Sequence, residues 1–578
     1  MEKKLLMDVI DVAAGRKAAS LVIKNGRVVD VYNGRILDRS VAIEQGLIAG
    51  IGDYEGVEEM DAAGAYIIPG LIEAHIHIES SFLTPAELGS LIVPLGTTTI
   101  IADPHEIVNV CGIAGFDYMI SAARGTDLDI KLQVPSCVPA TPFENSGAIL
   151  DSEGVARLLE RVDGFGLGEM MNFPGVIQND EEVIGKLAAA KRQGKIIDGH
   201  APFVFGKEAC AYAAGGIKTD HECSTVAELL EKTSLGMYVQ LRQGSATNSL
   251  RTLLKGVTPF NSRRCLLCSD DRQPKDVLEM GHLDNHLRIC VEEGIDPITA
   301  IQKATLNPAE CYGLTDRGAI APGLRADLVL VRDLKDFHVE KVFIEGSLKA
   351  ENHQYFGKKE EVSTQAVGSS VRVQEFSEEQ LNLNSASPMV HVIEIVKGEL
   401  ITKKRIAAIS LTETGDFHYD PKEDIVKVVC MERHHRTGNI AVGLLGGYGL
   451  KKGAVAQTIA HDSHNIIAAG TNNKDIETAI KALTEMGGGI VIANQGQVVE
   501  QLPLPIAGLM SDRDAQWVAQ RLKTIEDLLH EDFGVKTYVE PLMTLAFMSL
   551  PVIPELKITD KGLFDVTTFS FIPIEAEK

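Results

Sequence analysis

The chain has 578 residues, too many for one ordinary core, so two or three domains are expected. Apolar residues make up 45% and charged residues 24%, the balance of a soluble globular protein. A formal net charge of -24 repels both a nucleic-acid duplex and an anionic membrane, which leaves small neutral or cationic ligands as the expected partners.

The opening Met1-Glu-Lys-Lys-Leu-Leu-Met-Asp lacks the apolar segment and cleavage site of a secretory signal, and no run of about 18 uncharged apolar residues occurs. The nine cysteines are scattered and odd in number. Cys111, Cys137, Cys210 and Cys290 sit in apolar runs, which reads as reduced, buried thiols of a cytoplasmic protein. Cys265 and Cys268 have C-x-x-C spacing, but no second pair follows and both lie in a strand-like run.

Residues 20–52 alternate apolar and polar types around Gly turns and read as hairpin strands. Between 66 and 331, short apolar runs alternate with helical patterns such as Val155-Ala-Arg-Leu-Leu-Glu-Arg-Val, which indicates βα units and a parallel sheet. Eight strands are expected at 66–77, 97–103, 129–136, 164–169, 195–200, 216–221, 237–243 and 264–270. Eight such units over about 250 residues fit an α/β fold of the (β/α)8 TIM-barrel type. Beyond it, Asp327-Leu-Val-Leu-Val and Val339-Glu-Lys-Val-Phe-Ile return to strand character. The expected domains are thus a small β domain from 1–65 plus 320–350 and a barrel over 66–319. A polar connecting segment at 351–390 and a separate C-terminal α/β or α+β domain over 391–578 complete the chain.

The strongest local motif is Pro69-Gly-Leu-Ile-Glu-Ala-His75-Ile-His77. Side chains two apart on a strand share a side, so both imidazoles can converge on one cation such as zinc, manganese or iron. At the C-terminal end of a first barrel strand they would face the usual active-site mouth. Glu169, His200, His221 and Asp270 end the fourth, fifth, sixth and eighth expected strands in the same way. One polar residue ending an apolar run is ordinary; five strands ending in ligand types in one register point to a metal site. His282 and His286 have i, i+4 spacing that suits a metal or a chance surface pair, and His434-His435 reads as a solvated pair. Gly446-Gly-Tyr-Gly lacks the G-K-[ST] ending of a phosphate loop and reads as a turn.

These motifs resemble the amidohydrolase superfamily, as does the closing segment from Ala304-Thr-Leu-Asn-Pro-Ala to Ala326-Asp-Leu. His75-Ile-His-Ile-Glu-Ser-Ser, Asp103-Pro-His-Glu-Ile, Ser269-Asp-Asp-Arg-Gln-Pro and His461-Asp-Ser-His-Asn further resemble the adenine deaminase family. Hydantoinase-like members place a carboxylated lysine on strand four; Glu169 stands here instead and bridges without modification. Mononuclear deaminases carry a glutamate soon after the fifth-strand histidine, whereas Ala201-Pro-Phe-Val follows His200.

The resemblance therefore implies two divalent ions, manganese or iron with zinc also compatible, on His75, His77, Glu169, His200, His221 and Asp270. It implies hydrolytic attack on C6 of adenine in purine salvage, with Asp270 moving the proton and Glu79, His105, Glu106 or Asp271 serving the ring nitrogen. Asp271 could instead cap the following helix, and His105 could be a further ligand or a turn histidine. A homodimer or homotetramer is expected. The alternatives are another amidohydrolase-type deaminase or a cyclic amidohydrolase acting on a different heterocycle, or a non-catalytic barrel scaffold.

Overall fold

The structure is a computed structural model that describes residues 3–245, 247–398 and 401–576. Among them no helix is long and apolar enough to cross a membrane.

Strands from both flanks of the central region meet in one seven-stranded sheet. Its order runs Gln354–Tyr355, Ser347–Glu351, Val339–Ile344, Leu328–Val331, Tyr66–Pro69, Arg27–Asp30, Arg35–Asp38. Tyr66–Pro69 belongs here and not to the first parallel strand: it pairs antiparallel with Leu328–Val331, Tyr66 opposite Val331 and Ile68 opposite Val329. The chain leaves this sheet at Gly70, where a β-carbon would lie 2.2 Å from Thr98 Oγ1. A second, four-stranded sheet carries helix Lys3–Ala13, whose Val9 and Val12 are buried against it.

Eight parallel strands follow: Leu71–Ile76, Thr97–Ala102, Asp129–Leu132, Leu167–Met170, Ile197–Gly199, Thr219–Asp220, Tyr238–Arg242 and Cys265–Cys268. Each begins within its expected segment. The first three pair in order, as do the fourth and fifth and the last three. A bridge from Val134 to Leu167 joins the third to the fourth, and Lys218 N–H donates to Ile197 O across the fifth and sixth. A bridge from Ile76 to Asp270 returns the eighth to the first. The first two strands are buried at every position, as strands covered on both faces must be. Two of the helices between the third and fifth strands, Ser152–Leu159 and Glu181–Arg192, start on side-chain caps, with Asp151 accepting from Gly154 N–H and Asp180 from Val183 N–H.

From Met389 the chain builds a separate body around an eight-stranded sheet. Along Ile425–Met431 the side chains alternate: Val429 and Met431 pack under helix Asn473–Glu485, while Val426, Val428 and Cys430 join the core cluster that includes the parallel strands. Between Tyr355 and Met389 the described residues form one short 3-10 turn, Glu378–Leu381. Gly447 and Gly449 take positive φ just after strand Ile440–Gly446, where the chain bends at Gly447 and runs on as irregular backbone in place of the expected turn.

All nine cysteines are free. Cys265 and Cys268 join different core clusters and share no ligand position. Two thiols depart from the expectation of burial: Cys210 is exposed on helix Gly206–Ala214, and Cys111 is partly exposed.

Candidate metal and catalytic site

The parallel strands end at one rim, and the ligand-type residues meet there. Glu169 lies at the centre. Its Oε1 is 3.2 Å from His77 Nε2 and 3.4 Å from His105 Nδ1; its Oε2 is 2.7 Å from His200 Nδ1 and 3.2 Å from His221 Nε2. Asp270 Oδ1 lies 3.1 Å from His77 Nε2 and 3.5 Å from His75 Nε2. Asp270 has φ +61°, a left-handed conformation that aspartate tolerates better than most residues, and its N–H donates to His75 O. The strand-end register thus brings the six expected ligands together. His105, for which the sequence leaves proton transfer, a further ligand or a turn open, joins them through its contact with Glu169.

The ring nitrogens His75 Nε2 and His105 Nδ1 are buried with no hydrogen-bond partner among the described residues. Two carboxylates and five imidazoles within a few ångströms are a poor arrangement without a cation and a suitable one for divalent metal. Three overlapping triplets, His75/His77/Asp270, His75/Glu169/His221 and His77/His105/Glu169, each bring their donor atoms within 4.8 Å of one another.

The electrostatics follow from burial set against close neighbours. Burial pushes the Glu169 carboxyl up, but the His221 charge and hydrogen bonds from His200, His221 and His77 hold it well below the usual range. For Asp270, burial is likewise outweighed, here first by the Arg242 guanidinium. Burial takes His75 down to about 4, which keeps its ring neutral, the form that binds metal.

The proton-transfer candidates separate. Asp271 does not cap helix Pro274–Met280, whose cap residue is Gln273. Its Oδ1 instead accepts from Ser80 Oγ at 2.5 Å, and it lines the cleft above Asp270. Ser80 also lies 3.1 Å from Glu106 Oε1. Glu79 lies further back, its carboxylate accepting Ile107 N–H.

Sequence reasoning missed Arg242 and Glu222. Arg242 ends the seventh strand and places Nη1 2.5 Å from both Glu222 Oε1 and Asp270 Oδ2. Glu222 directly follows His221 and lies 3.5 Å from its Nε2. Glu222 follows the end of an expected strand, the signal used for Asp270, whereas Arg242 sits one residue inside the expected seventh strand and ends it only in the structure.

Two histidine pairs behave differently from their sequence readings. His282 and His286 are buried and turned to local partners: His286 Nδ1 lies 2.7 Å from His282 O, and His282 Nδ1 lies 2.8 Å from Thr97 Oγ1. His434 is not solvated; it is buried, with Nε2 2.8 Å from Ser463 O, and only His435 is exposed.

The second body closes the cleft. His461, Asp462 and Phe547 line it opposite Glu169 and His200, and Asp462 Oδ1 lies 3.8 Å from His105 Nε2.

Residues 66–349 match the model of the amidohydrolase family, and residues 399–570 match that of the adenine deaminase C-terminal domain. The chain is 55% identical to adenine deaminase 2 of Desulfotalea psychrophila, over 100% of both chains. It is 50% identical to the adenine deaminase of Ligilactobacillus salivarius, again over 100% of both. The chain belongs to the adenine deaminase family. Its fold is therefore the amidohydrolase TIM barrel with a separate C-terminal domain, and membership implies divalent-metal binding, for which the rim cluster is a candidate site.

Proposed function

We propose that this protein hydrolyses adenine to hypoxanthine and ammonia, using two divalent ions, manganese or iron first and zinc as an alternative. The observation that carries the reading is Glu169, whose two oxygens each face a different pair of imidazoles. His75, His77, Glu169, His200, His221 and Asp270 would hold the ions, with His105 as a further ligand.

Bound divalent cations lower the pKa of a water from 15.7 towards about 7, which supplies a nucleophile at neutral pH. The residues of the chain then manage protons and position. Asp270 is placed to take a proton from the attacking water and pass it to the departing amine. Arg242 holds the second oxygen of Asp270, so the first stays aimed at the histidines. Asp271, fixed by Ser80, stands over the cleft and is the group assigned to the ring nitrogen beside C6; burial raises its carboxyl to about 6. A carboxyl poised there can give and regain a proton near neutral pH. Phe547 and Leu550 supply apolar wall for a planar base.

The test is ammonia release from adenine, adenosine, cytosine and guanine, with manganese, iron or zinc supplied in turn. Turnover of adenine is expected. No release from adenine with any of the three metals overturns the reading.

A further inference from the structure

The segment 461–465 belongs to the C-terminal body, yet it is built into the barrel mouth. Arg433, fully buried, donates to Ala507 O from both terminal nitrogens, and its N–H reaches Asn465 Oδ1. Asn465 Nδ2 donates to Asn145 O of the barrel half.

Within this frame the His461 ring is fixed on two sides. Its Nδ1 lies 3.1 Å from Glu106 Oε1, a carboxylate on the barrel helix His105–Cys111. Phe547 stacks on the ring with centroids 4.6 Å apart and planes 16° apart. The remaining polar atom, Nε2, has no partner among the described residues, although the residue is only 3% exposed. His461 lines the same cleft as Asp270 and Glu169. A carboxylate only accepts hydrogen bonds, so Nδ1 carries the proton that faces Glu106, and Nε2 is left for the cleft.

Glu106, His461 and His464 have donor atoms within 4.8 Å of one another, a spacing that also suits a cation. The tautomer of His464 argues against one. Ala460 N–H donates to His464 Nδ1 at 3.2 Å, which puts the ring proton on Nε2, 3.7 Å from Glu106 Oε2. That nitrogen then has no lone pair for a metal. At that distance His464 makes no hydrogen bond to Glu106, so the His461 ring is held by the Glu106 contact and the Phe547 stack.

We infer that His461 contacts the substrate: its Nε2, delivered by the second domain, hydrogen-bonds the edge of the purine base, while Glu106 acts as the positioning residue that sets the ring. The inference rests on the adenine deaminase reading. A planar base has ring nitrogens around its edge and apolar faces, which matches one directed nitrogen beside the Phe547 wall.

The experiment compares the metal-loaded full chain with His461→Phe, His461→Gln and Glu106→Gln. His461→Phe keeps an aromatic ring on Phe547 and removes Nε2; it is expected to lower kcat/KM for adenine by about 30- to 100-fold. Metal content should stay at the wild-type value, while Tm should fall in His461→Phe because Glu106 loses its Nδ1 partner. Hypoxanthine, the product, should bind His461→Phe more weakly by a similar factor in calorimetry. His461→Gln restores a polar nitrogen and should recover part of the loss, and Glu106→Gln should lose about tenfold through the loosened ring. Wild-type turnover together with a His461→Phe kcat/KM within twofold of it overturns the inference and leaves the deaminase reading standing. Equal losses in His461→Phe and His461→Gln with lost metal mark a structural role and also overturn it. A wild-type chain that releases no ammonia from adenine removes both.

Discussion

Arg242 and Asp270 form a buried ion pair, Nη1 to Oδ2 2.5 Å, and the same nitrogen lies 2.5 Å from Glu222. Arg242 thus balances two carboxylates at the rim. Replacing it with Met removes the permanent cation the two share and leaves Asp270 to His75 and His77 and Glu222 to His221, a loss of one partner of a buried pair that costs about 3–5 kcal/mol. Arg242→Met should therefore lower Tm and ammonia release together. A variant that keeps wild-type Tm while losing activity would assign Arg242 to chemistry alone.

Asp270→Asn keeps the shape of the side chain and removes its basicity. It is expected to fold, with far-UV circular dichroism unchanged, and to lose about 10²–10⁴-fold in kcat, the usual range for a positioned acid–base group. Near-normal turnover would take Asp270 out of proton transfer.

Glu169→Gln tests the bridging role. An amide offers one acceptor oxygen where the carboxylate offers two, so one of the two proposed ions should be lost. Metal analysis is expected to show fewer ions per chain than wild type, and activity should fall at least about 100-fold. Full metal content in Glu169→Gln would contradict a bridge. Chelation of the wild type should abolish turnover, and adding back manganese, iron or zinc should restore it.

The rim was legible in the sequence because each expected ligand ends an apolar run, and strand ends in such a fold share one face. Arg242 obeys the same rule, but the expected strand ran one residue further, to Gln243, and hid it. The Pro69-Gly70 step was a visible break inside an apolar run, yet the run alone could not show that its two halves join different sheets. His461 could not be placed from spacing. It meets Glu106 across 355 residues through the docking of two bodies, and no local periodicity records such a contact. His434 was misread because a polar pair looks solvated until its carbonyl partner, Ser463 O, is known.

A buried ion pair lies behind the sixth strand. Lys232 Nζ lies 2.6 Å from Asp220 Oδ2, both side chains are essentially buried, and Asp220 immediately precedes His221. Burial raises the Asp220 carboxyl, but the Lys232 charge and hydrogen bond bring it below its ordinary 3.8. Burial lowers Lys232, and Asp220 carries it above its ordinary 10.5. A carboxyl depressed in the folded state stabilises above its unfolded pKa, and the gain is lost as pH falls through the folded value. A raised lysine stabilises below its unfolded pKa, and the gain is lost as pH rises through the folded value. The pair therefore stabilises across the whole neutral window. Lys232→Met should cost about 3–5 kcal/mol at pH 7 by leaving Asp220 buried and unpaired. Urea unfolding of wild type and variant should show a gap that is flat through neutral pH and narrows in acid, as Asp220 protonates. A gap that does not change between pH 7 and strongly acidic buffer would mean that packing of the lysine stem, and not its charge, supports the strand that carries His221.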